Sequence, residues 1–303
     1  MISKQKLHEH GPTLSKLVYG VWRLAEDPNG TSEKVVQKKI ETCLEIGITT
    51  FDHADIYGSY TCEEIFGKVL KQSKNLISQI QIVTKCGIML VSPNRPQNKI
   101  KHYNTTKSHI LQSVDTSLKN LGVEKIDLLL IHRPNPILNP EEVALAFREL
   151  KEKGKVLFFG VSNFLPHQFE TLQAFLDLPL VTNQIELHPL YLEYFLNGTL
   201  EQCLVKKIIP MIWSPFAGGR LLQKKDLTTI RVMEVVERLS KEFGFTPEEV
   251  LLKWVSFSPY NAIPIIGTNQ IERIQRCANF EKVPMSNENW FEIYTAGLGK
   301  EVP

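Results

Sequence analysis

The sequence is poor in the features that would assign it to a class outright. Cysteine is scarce: five residues, at positions 43, 62, 86, 203 and 277, an odd number with no C-x-x-C pair. That argues against a disulfide framework and leads us to expect reduced thiols and a cytoplasmic setting. Long apolar runs are missing. The longest, such as "IDLLLIH", fall far short of the roughly 20 residues that cross a bilayer. The opening stretch "MISKQKLHEHGPTLSKL" has no apolar core of export-signal length. Charge of one sign is missing too. With 35 Lys and Arg against 33 Asp and Glu the net charge is +2, so neither nucleic acid nor an anionic membrane is an expected partner. There is no coiled-coil heptad seam to set an oligomeric state. No H-E-x-x-H occurs, and the first strand-to-helix turn, "GVWRLAEDPNG", lacks G-x-G-x-x-G.

What the chain does have is a steady alternation of strand-like and helix-like segments through 303 residues that are 43% hydrophobic and 22% charged. Eight short strands read as "KLVYGVW", "ITTFDHA", "IQIVTKCG", "IDLLLIHRP", "VLFFGVSN", "VTNQIELHP", "IIPMIWSPF" and "NAIPIIGT". Each is followed by one or two amphipathic helical patterns, among them a helix capped by Ser32, another opened by a Thr-x-Glu-Glu cap at Thr61, and "EYFLNGTLEQCLVKK". The strands are rich in Val, Ile, Leu and Phe and alternate little, as expected of parallel strands covered on both faces. Eight such units and no composition break predict one (β/α)8 TIM barrel domain over residues 1–303, with the open doubly wound sheet as competitor.

In a parallel barrel the chemistry sits at the C-terminal ends of the strands. Here those ends are polar: Trp22-Arg23; Asp52, His53, Asp55 and Tyr57; Lys85; His132-Arg133; Ser162-Asn163; Gln184 and Glu186; Trp213-Ser214; Gly267-Thr268. Asp52, Tyr57, Lys85 and His132 form a chemically coherent quartet. A phenol with a pKa near 10 is a weak acid, and a neighbouring ammonium lowers that value. Lys85 is expected to supply the ammonium, Asp52 to hold it, and His132 to hydrogen-bond the phenol or a substrate oxygen. A lone Asp–Lys pair in a barrel is more often structural than catalytic; what favours function is that three consecutive strand ends supply the four residues. His53 and Asp55 read as wall and scaffold. A metal-hydrolase reading would use His53, Asp55, His132 and His188, but the chain has no His-x-His after its first strand to support it.

These motifs resemble those of the aldo-keto reductase superfamily. "FDHADIYGSYTCEEIFGKVL", "VTKCG", "IDLLLIHRP", "GKVLFFGVSNF", "NQIELHP", "IPMIWSPFAGGRL" and "IPIIGTNQIERI" follow the family's segments in order over nearly the whole chain. Within the family, "WSPFAGGRL", "IPIIGT" and "LGKEVP" are nearest to bacterial oxidoreductases of the YdhF type. The resemblance implies an NADPH-dependent reductase of aldehydes or ketones, with hydride from nicotinamide C4 and the proton from Tyr57. It places Ser162, Asn163 and Gln184 on the nicotinamide carboxamide and Trp213 against the ring. Trp22 would line the pocket beside the cofactor. Ser214, Pro215, Phe216, Gly219, Arg220 and Leu221 would wrap the pyrophosphate, with Arg220 pairing to a phosphate. Ile266, Gly267, Thr268, Arg273 and Arg276 would hold the 2′-phosphate end. The lysine that many members carry after "IP" is absent here, which leaves NADH as a second cofactor. No metal is expected, and the partner is a small carbonyl compound. The rival within the same fold is a non-catalytic NADP(H)-binding sensor or partner subunit.

Overall fold

The computed structural model describes residues 1–303. Eight parallel strands close into a barrel: β1 (Val18–Gly20), β2 (Thr50–Asp52), β3 (Gln81–Cys86), β4 (Ile126–Ile131), β5 (Val156–Ser162), β6 (Leu180–Glu186), β7 (Met211–Trp213) and β8 (Ile263–Ile266). Closure is between β8 and β1, where Ile265 pairs with Val18 and Ile266 with Tyr19. The helices of five or more residues are α1 (Glu33–Ile46), α2 (Cys62–Gln72), α3 (Lys107–Leu121), α4 (Pro140–Glu152), α5 (Pro166–Gln173), α6 (Thr199–Val205), α7 (Leu227–Phe243), α8 (Pro247–Val255), α9 (Ile271–Gln275) and α10 (Asn287–Leu298). The expected barrel is thus the observed one, and the doubly wound alternative is ruled out by closure.

The strands are apolar on both sides because both sides are buried. Val18, Val83, Leu128, Leu130, Val181, Met211, Ile263 and Ile265 fill the barrel interior together with Leu7 and Leu14. Leu14 lies in, and Leu7 directly follows, the strands of an antiparallel hairpin, Lys4–Lys6 against Thr13–Ser15, which plugs the N-terminal mouth. The opening stretch therefore has a structural job that its sequence, read only for an export signal, did not reveal. Outside the barrel, α7 and α10 pack on each other through Val232, Val236, Ile293 and Ala296, and the Arg231 side chain donates to the Ala296 carbonyl at 2.6 Å. Trp254 of α8 and Trp290 of α10 stack at 5.2 Å, each indole N–H donating to the other's backbone carbonyl at 3.0 Å.

Three local expectations are corrected. Ser32 sits at the N-cap of α1 but its side chain caps nothing; Gly47 ends the helix at φ 97°. Thr61 does not cap α2 either. Its hydroxyl donates back to the Gly58 carbonyl, and Glu63 turns inward to accept from the Thr84 hydroxyl at 2.7 Å. The helix expected over "EYFLNGTLEQCLVKK" splits into a single 3₁₀ turn at Glu193–Phe195 and α6, because Gly198 between them takes a left-handed conformation at φ 82°.

A polar layer lies between β2–β3 and the α2–α3 pair. Asp55 accepts from the Ser113 hydroxyl at 2.9 Å, while its second oxygen, Oδ1, is shut away from solvent without a partner. Burial, and then the nearby Glu63, raise the Asp55 carboxyl to about 8. His53, the other scaffold residue, is fully buried. Its ring lies edge-on to Phe66 at 4.6 Å, and burial drives its pKa down to about 3.

Two predictions follow from this packing. A Cβ on Gly67 would stand 2.0 Å from the Asn120 carbonyl oxygen, so Gly67→Ala must push α2 off α3. The expected loss is about 3 kcal/mol or more, read from urea midpoints. Asp55 holds a proton in the folded chain up to about pH 8 but releases it near 3.8 when unfolded. The folded state therefore binds more protons across that window, and stability falls as pH rises through it. Asp55→Asn should gain on the wild type between pH 5 and 8.5; equal gains at both pH values would refute this account.

Candidate active site

The parallel register brings the functional side chains level at the C-terminal mouth. Gly20, Asp52 and Val83 are aligned across β1, β2 and β3, and Lys85 follows two residues on, on the same face as Val83. The Lys85 ammonium has three partners: Asp52 Oδ2 at 2.7 Å, the His53 carbonyl at 2.8 Å and the Tyr57 hydroxyl at 2.9 Å. The other Asp52 oxygen accepts from Gln184 Nε2 at 2.8 Å. Asp52, Lys85 and Gln184 are each no more than 2% exposed. The ammonium is therefore desolvated and fully bonded, the condition under which a buried charge is tolerated. Burial opposes its charge, but Asp52 and Tyr57 outweigh burial, and the Lys85 pKa stands above its ordinary value.

Tyr57 sits in the turn after β2. Gly58, Ser59 and Tyr60 behind it all have positive φ, 57°, 54° and 72°, and that left-handed turn aims the phenol back at Lys85. Its pKa corrects a sequence expectation. Burial raises it most, and with Asp52 outweighs the lowering by Lys85, so the phenol lies above its ordinary value and keeps its proton at neutral pH. His132 follows β4, its ring 5.9 Å from the Tyr57 ring. Burial, then Lys85, Arg133 and Lys101, push the imidazole well below its usual pKa, so it is neutral, and Nδ1 has no partner. Asp52, Tyr57, Lys85 and His132 thus come together from three strand ends.

Asp52, Tyr57 and His132 line one end of a cavity of about 710 Å³, with Lys85 buried behind them; that volume is within the range of small-molecule and cofactor sites. Trp22, Ser162, Gln184, Trp213, Ser214, Pro215, Phe216, Gly219, Ile266, Gly267, Thr268 and Arg273 also line it. Four residues expected at a cofactor are placed differently. Asn163 lies just behind the lining: its Oδ1 accepts from the Trp213 indole at 3.0 Å and from the Tyr194 hydroxyl at 3.3 Å, and its Nδ2 donates to Ser162 Oγ at 2.7 Å. Leu221 is fully buried in the outer core. The Arg220 side chain is exposed and reaches towards Asp226 at 3.7 Å. Arg276 stands outside the lining, 3.9 Å from Glu248.

Arg23, Lys101, Arg133, Asn269 and Gln270 line the cavity without having been assigned a role from sequence. Arg23 and Arg133 were visible at strand ends. Arg23 Nη2 donates to the Gly218 carbonyl at 2.8 Å, bridging the first loop to the glycine-rich turn. Lys101 carries no local signal, because only the hairpin Ile88–Met89 with His102–Tyr103 brings it to the rim. The four side chains considered as metal ligands are not gathered: no cluster of three or more His, Cys, Asp or Glu is placed to hold an ion, and His188 pairs with Glu186 at 3.2 Å.

The donor set fits a dinucleotide. Buried amide and hydroxyl groups stand at the quartet's end, the Trp213 indole beside them with the Arg133 guanidinium over one face, a Gly218–Gly219 turn at positive φ in the middle, and Thr268 with Arg273 at the far end. Comparison with known proteins agrees. The profile of the Aldo/keto reductase family matches residues 16–296. The chain is 42% identical to the oxidoreductase YdhF of Escherichia coli over 100% of both chains. It is 45% identical to a 6-dehydroglucose reductase of Agrobacterium fabrum, covering 95% of this chain and 96% of the relative. The crystal structure of the thermostable aldo-keto reductase Tm1743, solved with the inhibitor epalrestat, superposes with a TM-score of 0.81 at 23% identity, covering 97% of this chain and 100% of that one; at that identity the likeness concerns the fold. The chain belongs to the aldo/keto reductase family of NAD(P)H-dependent oxidoreductases.

Proposed function

We propose that the protein reduces an aldehyde or ketone to an alcohol with NADPH, Tyr57 giving the proton to the carbonyl oxygen. The observation that carries this reading is the Tyr57 hydroxyl held 2.9 Å from a buried ammonium at the wall of an open cavity. When bound, the nicotinamide supplies the hydride. Tyr57 is protonated at rest, because burial holds its pKa up. As the substrate oxygen gains charge, Tyr57 releases its proton, and Lys85 at hydrogen-bond distance stabilises the phenolate left behind. Asp52 and the His53 carbonyl keep the ammonium fixed during that change. His132, neutral and short of a partner, orients the substrate oxygen.

The same residues support a placement for the cofactor. Gln184 has its amide nitrogen on Asp52, which leaves its oxygen to accept from the carboxamide. Ser162, whose hydroxyl already donates to the Gln184 carbonyl, offers a lone pair. Asn163 acts indirectly, fixing the Trp213 indole. Arg273 and Thr268 are the groups suited to the 2′-phosphate, and their guanidinium and hydroxyl donors favour NADPH over NADH. The relative named a 6-dehydroglucose reductase favours an aldehyde as the reacting group.

Tyr57→Phe should leave NADPH binding, followed by fluorescence titration, within a factor of about three, and lower kcat for carbonyl reduction by about 10²- to 10⁴-fold. An unchanged kcat would count against the mechanism, and tight NADPH binding with no turnover of any carbonyl by the wild type would favour the sensor reading. Arg273→Met should weaken NADPH by about ten- to a hundredfold, the scale of one or two charge-assisted hydrogen bonds, and leave NADH nearly unaffected.

A further inference from the structure

We infer that the substrate side of the cavity is an anion site formed by Arg133 and Lys101, and that the preferred carbonyl substrate carries a carboxylate. This rests on the reductase reading above and narrows its substrate class. Arg133 follows His132 directly, and both it and Lys101 line the cavity. Neither forms a salt bridge anywhere in the structure. The only acids among the lining residues are Asp52 and Glu248. Asp52 has both oxygens committed to Lys85 and Gln184. Glu248 stands beside Arg276, by the Arg273 end.

The Arg133 guanidinium is already oriented. It lies over the Trp213 ring at 5.2 Å, a contact that restricts the side chain and leaves its fork free for a planar partner. Arg133 and Lys101 both act on His132, and Arg133 acts on Tyr57 as well, so the positive field reaches the reacting groups. Ile56, Ile88 and Leu90 supply nearby apolar lining, with Trp22 and Lys101 exposed at the rim; a charge pair at the half-buried Arg133 is screened less than in open water. Guanidinium and ammonium are donors without acceptors. A carboxylate is an acceptor suited to either donor; a neutral hydroxyl would bring a proton that neither can accept. The carboxylate takes no part in the bond changes: hydride adds to the carbonyl carbon, and the C–O π pair takes the Tyr57 proton.

The test compares 3- and 4-carboxybenzaldehyde with the corresponding formylbenzamides, which match them in shape and carry no charge, under saturating NADPH. The expected wild-type kcat/KM ratio of acid to amide is at least tenfold at low ionic strength, and it falls as salt is added. Arg133→Met and Lys101→Met should each lower the ratio at least threefold, and Arg133→Lys should restore part of it. Because the ratio is taken within one variant, loss of folded protein cancels. A wild-type ratio of one or less, or a ratio unchanged in both Met variants, overturns the proposal. Should the wild type reduce none of these aldehydes, the reductase reading is in question, and binding decides this one. Calorimetry on the NADPH-loaded protein should then show carboxybenzyl alcohol binding to the wild type and not to Arg133→Met. No binding to the wild type, or equal binding to both, overturns the anion site.

Discussion

The Lys85 ammonium is the charge around which the site is organised. Removed from water, it survives because three acceptors meet it within 2.9 Å: a carboxylate, a backbone carbonyl and a phenol. Breaking such a buried pair by deleting one partner typically costs about 3–5 kcal/mol, yet an intact pair adds little over well-packed apolar residues. The arrangement is therefore better understood as a means of placing charge than as a source of stability. In the proposed reduction, the fixed ammonium beside the protonated phenol would stabilise the phenolate in advance of proton transfer.

The rest of the fold serves that placement. Parallel register sets Asp52 level with Gly20 and Val83, so Asp52 and Lys85 meet at one height without a flexible loop between them. The left-handed turn at Gly58–Tyr60 brings the phenol in from above. It is itself held by the hairpin after β3: Tyr60 Oη accepts from the Leu90 N–H at 2.7 Å, and Asn94 donates to the Ser59 carbonyl at 2.9 Å. The same hairpin carries Ile88, Leu90 and Lys101 to the rim. One loop thus supports the acid from behind and lines the pocket in front.

Below the mouth, a polar layer of Asp55, Glu63, Thr84 and Ser113 is set into the packing. Asp55 is fixed to the barrel by its backbone N–H on the Lys85 carbonyl at 3.0 Å, while one carboxyl oxygen, Oδ1, is shut away from solvent. The protein tolerates it by keeping it protonated through the neutral range. His53 is tolerated in the same way, as a neutral ring packed on Phe66.

The barrel, its eight strands and the quartet Asp52, Tyr57, Lys85 and His132 were legible in the sequence, because strand periodicity and strand-end chemistry are local properties. The N-terminal plug was not. Leu7 and Leu14 bury themselves only against a barrel end that no local pattern describes. Nor was the sign of the Tyr57 shift, since a lysine nearby in sequence logic says nothing about how much water burial removes. Asn163, Arg220, Leu221 and Arg276 show the same limit: chain position brought them near the cavity, and side-chain direction placed them behind or outside it. Lys101 is the converse, a residue with no signal of its own that a hairpin carries to the pocket. Sequence by itself determined which groups are available and at which strand ends, because backbone period and residue chemistry travel with the chain. Tertiary structure alone decided which of them lose water, which find partners and which remain charged and unpaired, because those depend on neighbours distant in sequence.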